Sequence, residues 1–275
     1  MNLTLHRSWP TGYLLVCCLA AWVVSISGCA GPSSGGPGAR SNDPVTDSDE
    51  PEHRKRARIR MELAVGYFEQ GQTNIALDEL KQAVAADPNF PDVHNLRGLI
   101  FMRLNDFPQA EDSFRRAIAL NPRDANTLHN YGWLQCQQGR YADALRLFDQ
   151  AMANPLYAGR AKTLMAQGIC QARAGQVNDA ERSLSRSYEL DAGNPVTGYN
   201  LANLLYQRSE YSRAQFYIRR LNNSELANAE TLWLGIKVER RMNDRVAMQQ
   251  LGDQLKKRFP QSREVTSYER GAFDE

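Results

Sequence analysis

The chain has 275 residues and a mass of 31.0 kDa, which is enough for one or two ordinary domains. Its 33 lysines and arginines nearly balance 31 aspartates and glutamates, so the formal net charge is only +2. This balance excludes binding to nucleic acid or to an anionic surface driven by overall charge. Any partner that recognises charge must therefore contact a local patch.

Residues 1–28 have the composition of an export signal. Arg7 precedes an apolar run over residues 13–26, and the small residues Ser27 and Gly28 come directly before Cys29. The apolar run is too short to span a bilayer comfortably. The sequence therefore predicts export and removal of this segment.

The tetrapeptide Ile26-Ser27-Gly28-Cys29 is similar to the lipobox of bacterial lipoprotein signal peptides. This resemblance implies cleavage before Cys29 and lipidation of Cys29, with a diacylglycerol thioether and acyl chains such as palmitate. Several acyl chains bury enough methylene groups to hold a protein stably on a membrane. By the sorting rule of many such lipoproteins, Ala30 after the cysteine implies the outer membrane, with the chain on its periplasmic face. A secreted protein with a coincidental cysteine is the alternative.

Residues 29–52 are predicted to form a tether, because Gly, Ser, Pro and Asp dominate and large apolar residues are almost absent. About 20 flexible residues span roughly 25 Å. A basic run, Arg54-Lys55-Arg56 with Arg58 and Arg60, then opens the first predicted helix. The run is either a solvated helix start or an electrostatic contact with lipid headgroups or an acidic partner.

A repeat dominates residues 53–262. Alanines recur at steps of 34, 34, 36, 34 and 33 residues, at Ala76, Ala110, Ala144, Ala180, Ala214 and Ala247. A period near 34 is typical of helix-turn-helix units, which bury their apolar faces only by stacking on one another. The predicted units are 57–90, 91–124, 125–160, 161–194, 195–227 and 228–262.

Each unit has an apolar pattern with helical spacing, a turn residue, a second helical pattern and, in several units, a closing proline. Small residues recur where the two helices must approach closely, at Ala64, Gly98, Gly132, Gly168, Ala202 and Gly235 on the first helices. This pattern resembles the tetratricopeptide repeat (TPR). The resemblance implies an all-α fold, an α-solenoid superhelix of about six TPR units. The last two units depart from the pattern, with Ser209 and Met242 in place of the turn glycine and Leu221 and Gln254 in place of the last small residue.

In TPR proteins the first helices line a concave face that meets the ligand. Carried over by position, the resemblance implies an apolar groove that binds an amphipathic helix or an extended segment of a partner. Part of this stripe is also expected to pack first helix against first helix. Its predicted residues are Met61, Val65, Phe68, Leu99, Met102, Trp133, Met165, Ile169, Tyr199 and Tyr206.

Cys136 and Cys170 are the two cysteines that remain after removal of the signal and lipidation. Two thiols in an oxidising compartment favour a disulfide. Both lie on first helices of neighbouring units, so a bond is feasible if both side chains point into the shared interface. The alternative is two buried thiols that act as small apolar side chains.

We expect no catalytic, cofactor or metal site. The sequence has none of the common catalytic or nucleotide-binding motifs. His94 and His129 recur on successive first helices, but a structural zinc site needs four ligands and no further ligands are apparent. Residues 263–275 follow the last unit, and we expect a short helix that caps the end of the array.

The combination of a lipidated N terminus, a tether and six TPR units resembles the type IV pilus biogenesis and stability lipoproteins of the PilF/PilW group. The stretches NYGWLQCQQGRYADALRLFDQAMANPLY and GICQARAGQVNDAERSL carry this resemblance, including both cysteines and the Asn154-Pro155-Leu156-Tyr157 insertion. The resemblance implies a pilotin, which binds the pilus secretin subunit and promotes its outer-membrane localisation and multimerisation. Such a carrier is expected to be monomeric before it binds its partner.

Two alternatives use the same scaffold. One is a lipoprotein adaptor that recruits or activates an envelope enzyme, such as a peptidoglycan hydrolase or synthase. The other is a different outer-membrane assembly factor.

Overall fold

The structure is a computed structural model that describes residues 49–274. These residues form thirteen α-helices and no β-strand, which confirms the predicted all-α class. The helices are α1 (Glu52–Glu69), α2 (Thr73–Ala86), α3 (Pro91–Arg103), α4 (Phe107–Leu120), α5 (Ala125–Gln137), α6 (Tyr141–Met152), α7 (Arg160–Arg173), α8 (Val177–Leu190), α9 (Pro195–Gln207), α10 (Tyr211–Asn222), α11 (Ala229–Arg241), α12 (Arg245–Arg258) and α13 (Arg263–Arg270).

The first twelve helices form six antiparallel pairs, α1–α2 to α11–α12. Each odd-numbered helix packs on its pair partner, and each pair packs on the next. First helices also contact the first helix of the following pair, whereas no second helix contacts another second helix between residues 49 and 274. Neighbouring pairs therefore lie closer together on the side of the first helices than on the side of the second helices. The array is thus a curved solenoid whose concave face is lined by α1, α3, α5, α7, α9 and α11.

Three-residue turns join the helices of every pair, and the middle residue has a left-handed backbone conformation. These residues have φ values between 59° and 76°, and they are Gly71, Asn105, Gly139, Gly175, Ser209 and Asn243. Glycine suits this conformation because it has no Cβ, and asparagine tolerates it. Ser209 holds the predicted position, but in the sixth pair the turn residue is Asn243 and not Met242.

The register of the whole sixth pair lies one residue later than predicted. The second helices begin at residues 73, 107, 141, 177, 211 and 245, so the last step is 34 and not 33. The recurring alanine is the fourth residue of the first five second helices, and Met248 holds that position in α12. In the sixth pair, the positions equivalent to the recurring small residues of the other pairs therefore lie one residue after Ala247, Gly235 and Gln254. Those positions are occupied by Met248, Ile236 and Leu255, and the last two are fully buried.

Small residues on three first helices have the predicted packing role. A Cβ added at Gly98 would lie 2.6 Å from the Phe114 ring, and one added at Gly132 would lie 2.8 Å from the Phe148 ring. At Gly168 the corresponding distance to Leu184 is 2.7 Å. In each case a bulky second-helix side chain occupies the space that the glycine leaves. These contacts hold the two axes of the pair close together.

The longer 36-residue step is accommodated by the connection between α6 and α7. This connection runs over residues 153–159, whereas the α2–α3 connection spans residues 87–90. Within it, Tyr157 is buried, and its hydroxyl lies 3.0 Å from the Thr163 hydroxyl. Leu156 is 89% exposed. The insertion thus keeps the stacking of the third and fourth pairs while it adds a surface loop.

Helix α1 begins at Glu52, so the first helix includes the last residue of the predicted tether. At the other end α13 packs against α11 and α12, and Val265 joins their apolar cluster. None of the described helices is long and apolar enough to cross a membrane.

Candidate protein-binding surface

The ten predicted groove residues all lie on first helices, and all ten are half-buried. Nine of them pack in part against core clusters. Met61, Val65 and Phe68 do so in the first pair, and Tyr199 and Tyr206 do so in the fifth. The stripe is therefore a packing seam between first helices whose outer edge still faces solvent.

Cations lie near two rings of this stripe, Trp133 and Tyr206, and near Trp233 on the neighbouring helix α11. The Arg173 guanidinium lies 5.4 Å from the centre of the Trp133 ring, and the Lys237 ammonium lies 5.7 Å from the rings of both Tyr206 and Trp233. A cation over the face of an aromatic ring is attracted by the negative charge density of that face. The outer edge of the stripe thus combines aromatic rings with cations.

The C-terminal end of the concave face includes residues that the sequence analysis missed. A cavity of about 170 Å³ is lined by Tyr199, Asn203, Trp233 and Lys237, with α13 at its edge. Burial lowers the pKa of Lys237, and burial followed by Glu230 raises the pKa of Tyr199. The positional carry-over missed Trp233 and Lys237 because no groove position was assigned in the sixth unit.

Cys136 and Cys170 come together in the interface between α5 and α7. Both side chains are buried, and the Cα atoms are 5.7 Å apart. This separation lies within the range that a disulfide spans. The structure therefore meets the geometric condition for the predicted bond, and the oxidation state of the protein remains a prediction.

The two histidines have different hydrogen-bond partners. His94 Nε2 lies 2.9 Å from the Pro88 carbonyl oxygen, and His129 Nδ1 lies 2.9 Å from the Thr163 hydroxyl. Both rings are buried. Across residues 49–274 no group of three or more His, Cys, Asp or Glu side chains is placed to hold a metal ion.

The basic run at the start of α1 is largely neutralised within the protein. Arg54 pairs with the buried Asp87, Lys55 lies 3.2 Å from Glu52, and Arg60 lies 2.9 Å from Glu79. Arg58 pairs with Glu50 and Glu62. These pairs favour the interpretation of a solvated helix start over an electrostatic contact. Cys29 and the predicted signal segment lie outside the described residues.

Two family models, both described as tetratricopeptide repeat, match the chain. One covers residues 61–125 and 132–195, and the other covers residues 113–146. Solenoids with 12–18% identity to the chain include the TPR protein YrrB, with a TM-score of 0.54. At this level of identity the likeness shows the fold alone.

Two pilus proteins are similar over most of the chain. The type IV pilus assembly protein PilF of Pseudomonas aeruginosa is 28% identical over 209 residues, which cover 76% of this chain and 83% of PilF. The crystal structure of PilW, a widely conserved type IV pilus biogenesis factor, is 28% identical with a TM-score of 0.73, and the match covers 77% of this chain and 97% of the crystallised PilW chain. The P. aeruginosa PilF structure gives the same TM-score, with 27% identity. The chain is therefore a tetratricopeptide-repeat protein that is homologous to PilF and shares the fold of PilF and PilW.

Proposed function

We propose that this protein is a type IV pilus biogenesis factor that acts as a pilotin. In this proposal Cys29 is lipidated, the lipid holds the protein on the periplasmic face of the outer membrane, and the TPR groove binds the pilus secretin subunit. Binding then promotes localisation of the secretin and its assembly into multimers. The homology to PilF over 76% of the chain is the observation that carries the proposal.

The groove supplies a physical reason for this activity. A secretin subunit carries surfaces that become buried only after insertion and oligomerisation, so a carrier must cover apolar surface in transit. The half-buried stripe from Met61 to Tyr206 offers methionine and aromatic side chains along the concave face. Methionine adapts its shape to a partner, and aromatic side chains supply large contact areas.

The lipid and the array have separate tasks in this mechanism. The lipid on Cys29 attaches the protein to the outer membrane. The predicted tether lets the array move within a limited distance of that membrane and meet its partner there. A Cys29→Ser variant should therefore still bind the secretin subunit but should leave the outer-membrane fraction. Membrane fractionation and palmitate labelling of the wild type and the variant measure this. A wild type without palmitate label, together with a variant that stays in the outer-membrane fraction, would show that Cys29 is not the lipid anchor.

Deletion of the gene tests the function as a whole. We expect heat-stable secretin multimers and twitching motility to fall sharply in the deletion strain, and both to return when the gene is restored. Secretin multimers that persist at the parental level in the outer membrane would exclude the pilotin role.

Charge placed in the groove tests where the partner binds. Phe68→Glu and Trp133→Glu should each abolish capture of the purified secretin subunit, because a carboxylate on this apolar stripe must be desolvated. The matched control is Leu190→Glu, at a 49% exposed residue on the second helix α8. Circular dichroism should show unchanged helicity in all three variants. Capture that survives both groove substitutions would place the partner elsewhere.

A further inference from the structure

A second surface, on the side of the array opposite the groove, has the features of a binding site. A cavity of about 160 Å³ lies where the fourth and fifth pairs meet. Its walls come from α8, α9, α10 and the connections that follow α8 and α10. Tyr188, Tyr217, Arg220 and Leu226 line it, and Gly198 forms part of its floor.

Two aromatic rings, Tyr188 and Tyr217, line this cavity, and a third, Phe216, packs on Tyr217 beside it. The ring centres of Tyr188 and Tyr217 are 5.0 Å apart, those of Phe216 and Tyr217 are 5.1 Å apart, and both pairs meet edge to face. Phe216 is 62% exposed and Leu226 is 51% exposed. Large apolar side chains exposed together around a concavity are typical of contact sites, and aromatic residues dominate such sites.

Arg220 supplies an uncompensated charge beside these rings. Its guanidinium lies 5.8 Å from the centre of the Tyr188 ring. The neighbouring cations are neutralised, Arg213 by Glu181 and Glu210, and Arg219 by Glu239 and Asp244. Arg220 has no ion pair among the residues that the structure describes. An arginine next to an apolar cavity is complementary to a carboxylate next to an apolar side chain.

The volume of the cavity limits what it accepts. Pockets for small-molecule ligands usually measure about 300–1,000 Å³, so this cavity is too small for a typical cofactor or metabolite. An apolar cavity of about 150 Å³ is known to hold a benzene molecule. The cavity thus fits one aromatic side chain, which points to a protein segment as its occupant.

We propose that the convex aromatic surface, formed by Tyr188, Phe216, Tyr217, Arg220 and Leu226, binds a partner-protein segment that carries an aromatic residue next to an acidic one. The aromatic side chain enters the cavity, and the carboxylate pairs with Arg220. The partner segment also covers Phe216 and Leu226. This surface is separate from the concave groove, so the protein can hold two partners, or two parts of one partner, at once.

The probe for this site is the capped dipeptide N-acetyl-Phe-Asp-amide, titrated into the full chain with isotope-labelled tyrosine. We expect a saturable change in the NMR signals of Tyr188 and Tyr217. N-acetyl-Phe-Asn-amide should bind about three- to tenfold more weakly, because it lacks the charge that pairs with Arg220. N-acetyl-Ala-Asp-amide should leave both tyrosine signals unchanged.

Two substitutions with matched controls locate the site. A Cβ at Gly198 would lie 3.9 Å from the Tyr188 ring, at ordinary contact distance. Gly198→Leu should therefore fill the cavity and abolish binding, whereas Gly198→Ala should keep most of it. Arg220→Gln should weaken the Phe-Asp dipeptide to the level of the Phe-Asn dipeptide. Arg182→Gln, at an exposed arginine on α8 that pairs with Asp179, should have no effect.

Several results would overturn the proposal. These are unchanged tyrosine signals, equal binding of the Ala-Asp dipeptide, and binding that survives Gly198→Leu. A dimer in sedimentation equilibrium that Gly198→Leu dissociates would also overturn it, because a second copy would then be the occupant. Trp133→Glu should leave dipeptide binding unchanged, so failure of this site and failure of the proposed groove are distinguishable.

Discussion

Buried polar residues recur at the start of the first helices. Thr127, Thr163, Thr197 and Thr231 follow one another at steps of 36, 34 and 34 residues, and all four are buried. The hydroxyl of each threonine has a hydrogen-bond partner. Thr127 and Thr231 donate to Asp124 and to the Asn228 carbonyl, and the hydroxyls of Thr163 and Thr197 lie within hydrogen-bond distance of Tyr157 and Ser187. Because a buried hydroxyl without a partner destabilises the fold, these pairs stabilise the start of the first helix in the third to sixth units.

His129 extends this polar set and should make stability depend on pH. Burial, followed by the charge of Lys162, lowers its pKa from 6.5 to about 4. Between pH 6.5 and 4 the unfolded state therefore binds a proton that the folded state does not, so the free energy of unfolding falls as the pH falls. We expect a loss of about 2–3 kcal/mol over this interval.

His129→Gln isolates this contribution, because glutamine still offers a polar group to Thr163 but does not titrate. Urea denaturation at pH 7 and at pH 4 measures the free energy of unfolding of both proteins. The wild type should lose about 2–3 kcal/mol more than the variant between the two pH values. Equal losses would contradict the assignment.

The position of a residue in the repeat predicts which helix it lies on, but not how deeply it is buried or what lies next to it. The repeat predicts that Trp133 and Tyr206 lie on first helices, and they do, in α5 and α9. Their contact with a partner stays a prediction. The repeat cannot predict that the same side chains are half-buried, because their burial depends on the distance between neighbouring first helices. It also cannot predict that cations such as Arg173 and Lys237 lie over these rings.

The turns inside the pairs are the clearest case in which an element depends on one backbone position. Five of the six positions have glycine or asparagine, and Ser209 is the exception at a φ of 62°. Serine pays a steric penalty there that glycine avoids. The packing of α9 and α10 therefore keeps Ser209 in a conformation that lowers the stability of the folded protein.

Ser209→Gly should raise the free energy of unfolding by about 0.5–1 kcal/mol, because it removes this penalty. Asn243→Gly is the matched control, and we expect it to change stability by less than half as much, since asparagine tolerates the left-handed region. Thermal and urea denaturation followed by circular dichroism measure both. A Ser209→Gly protein that is less stable than the wild type would show that the serine side chain has a contact worth more than the strain.

The interface of α5 and α7 should be locked by the predicted bond between Cys136 and Cys170, which are 34 residues apart in sequence. By the loop-entropy model, removing a bond that closes a loop of this length costs about 3–4 kcal/mol. The double variant Cys136→Ala/Cys170→Ala should be less stable by that amount, and reducing agent should destabilise the wild type but not the variant. Mass mapping without reduction checks the bond directly, and free thiols at both positions would exclude it.

At the scale of the whole molecule, the repeat period predicts six helix pairs, and residues 49–274 form six. The register error in the sixth unit has a physical cause. A terminal pair packs on a cap and not on another pair, so its small and large residues exchange places. Ile236 holds the position of the first-helix glycine, and the small residue lies on the second helix at Gly252. A Cβ at Gly252 would collide with the Tyr268 ring of α13.

This exchange predicts that the cap stabilises the end of the array locally. Tyr268→Ala should empty the space beside Gly252 and destabilise the sixth pair by about 1.5–3 kcal/mol, less than for a fully buried aromatic residue because Tyr268 is half-buried. In a solenoid each unit contacts only its neighbours, so the effect should decline with distance along the array. Hydrogen exchange should accelerate in α11 and α12 and remain unchanged in α1–α4. Thr266→Ala, at an exposed residue of the same helix, is the control. Uniform acceleration in all six pairs would mean instead that the array opens as a single cooperative unit and that the cap stabilises the whole of it.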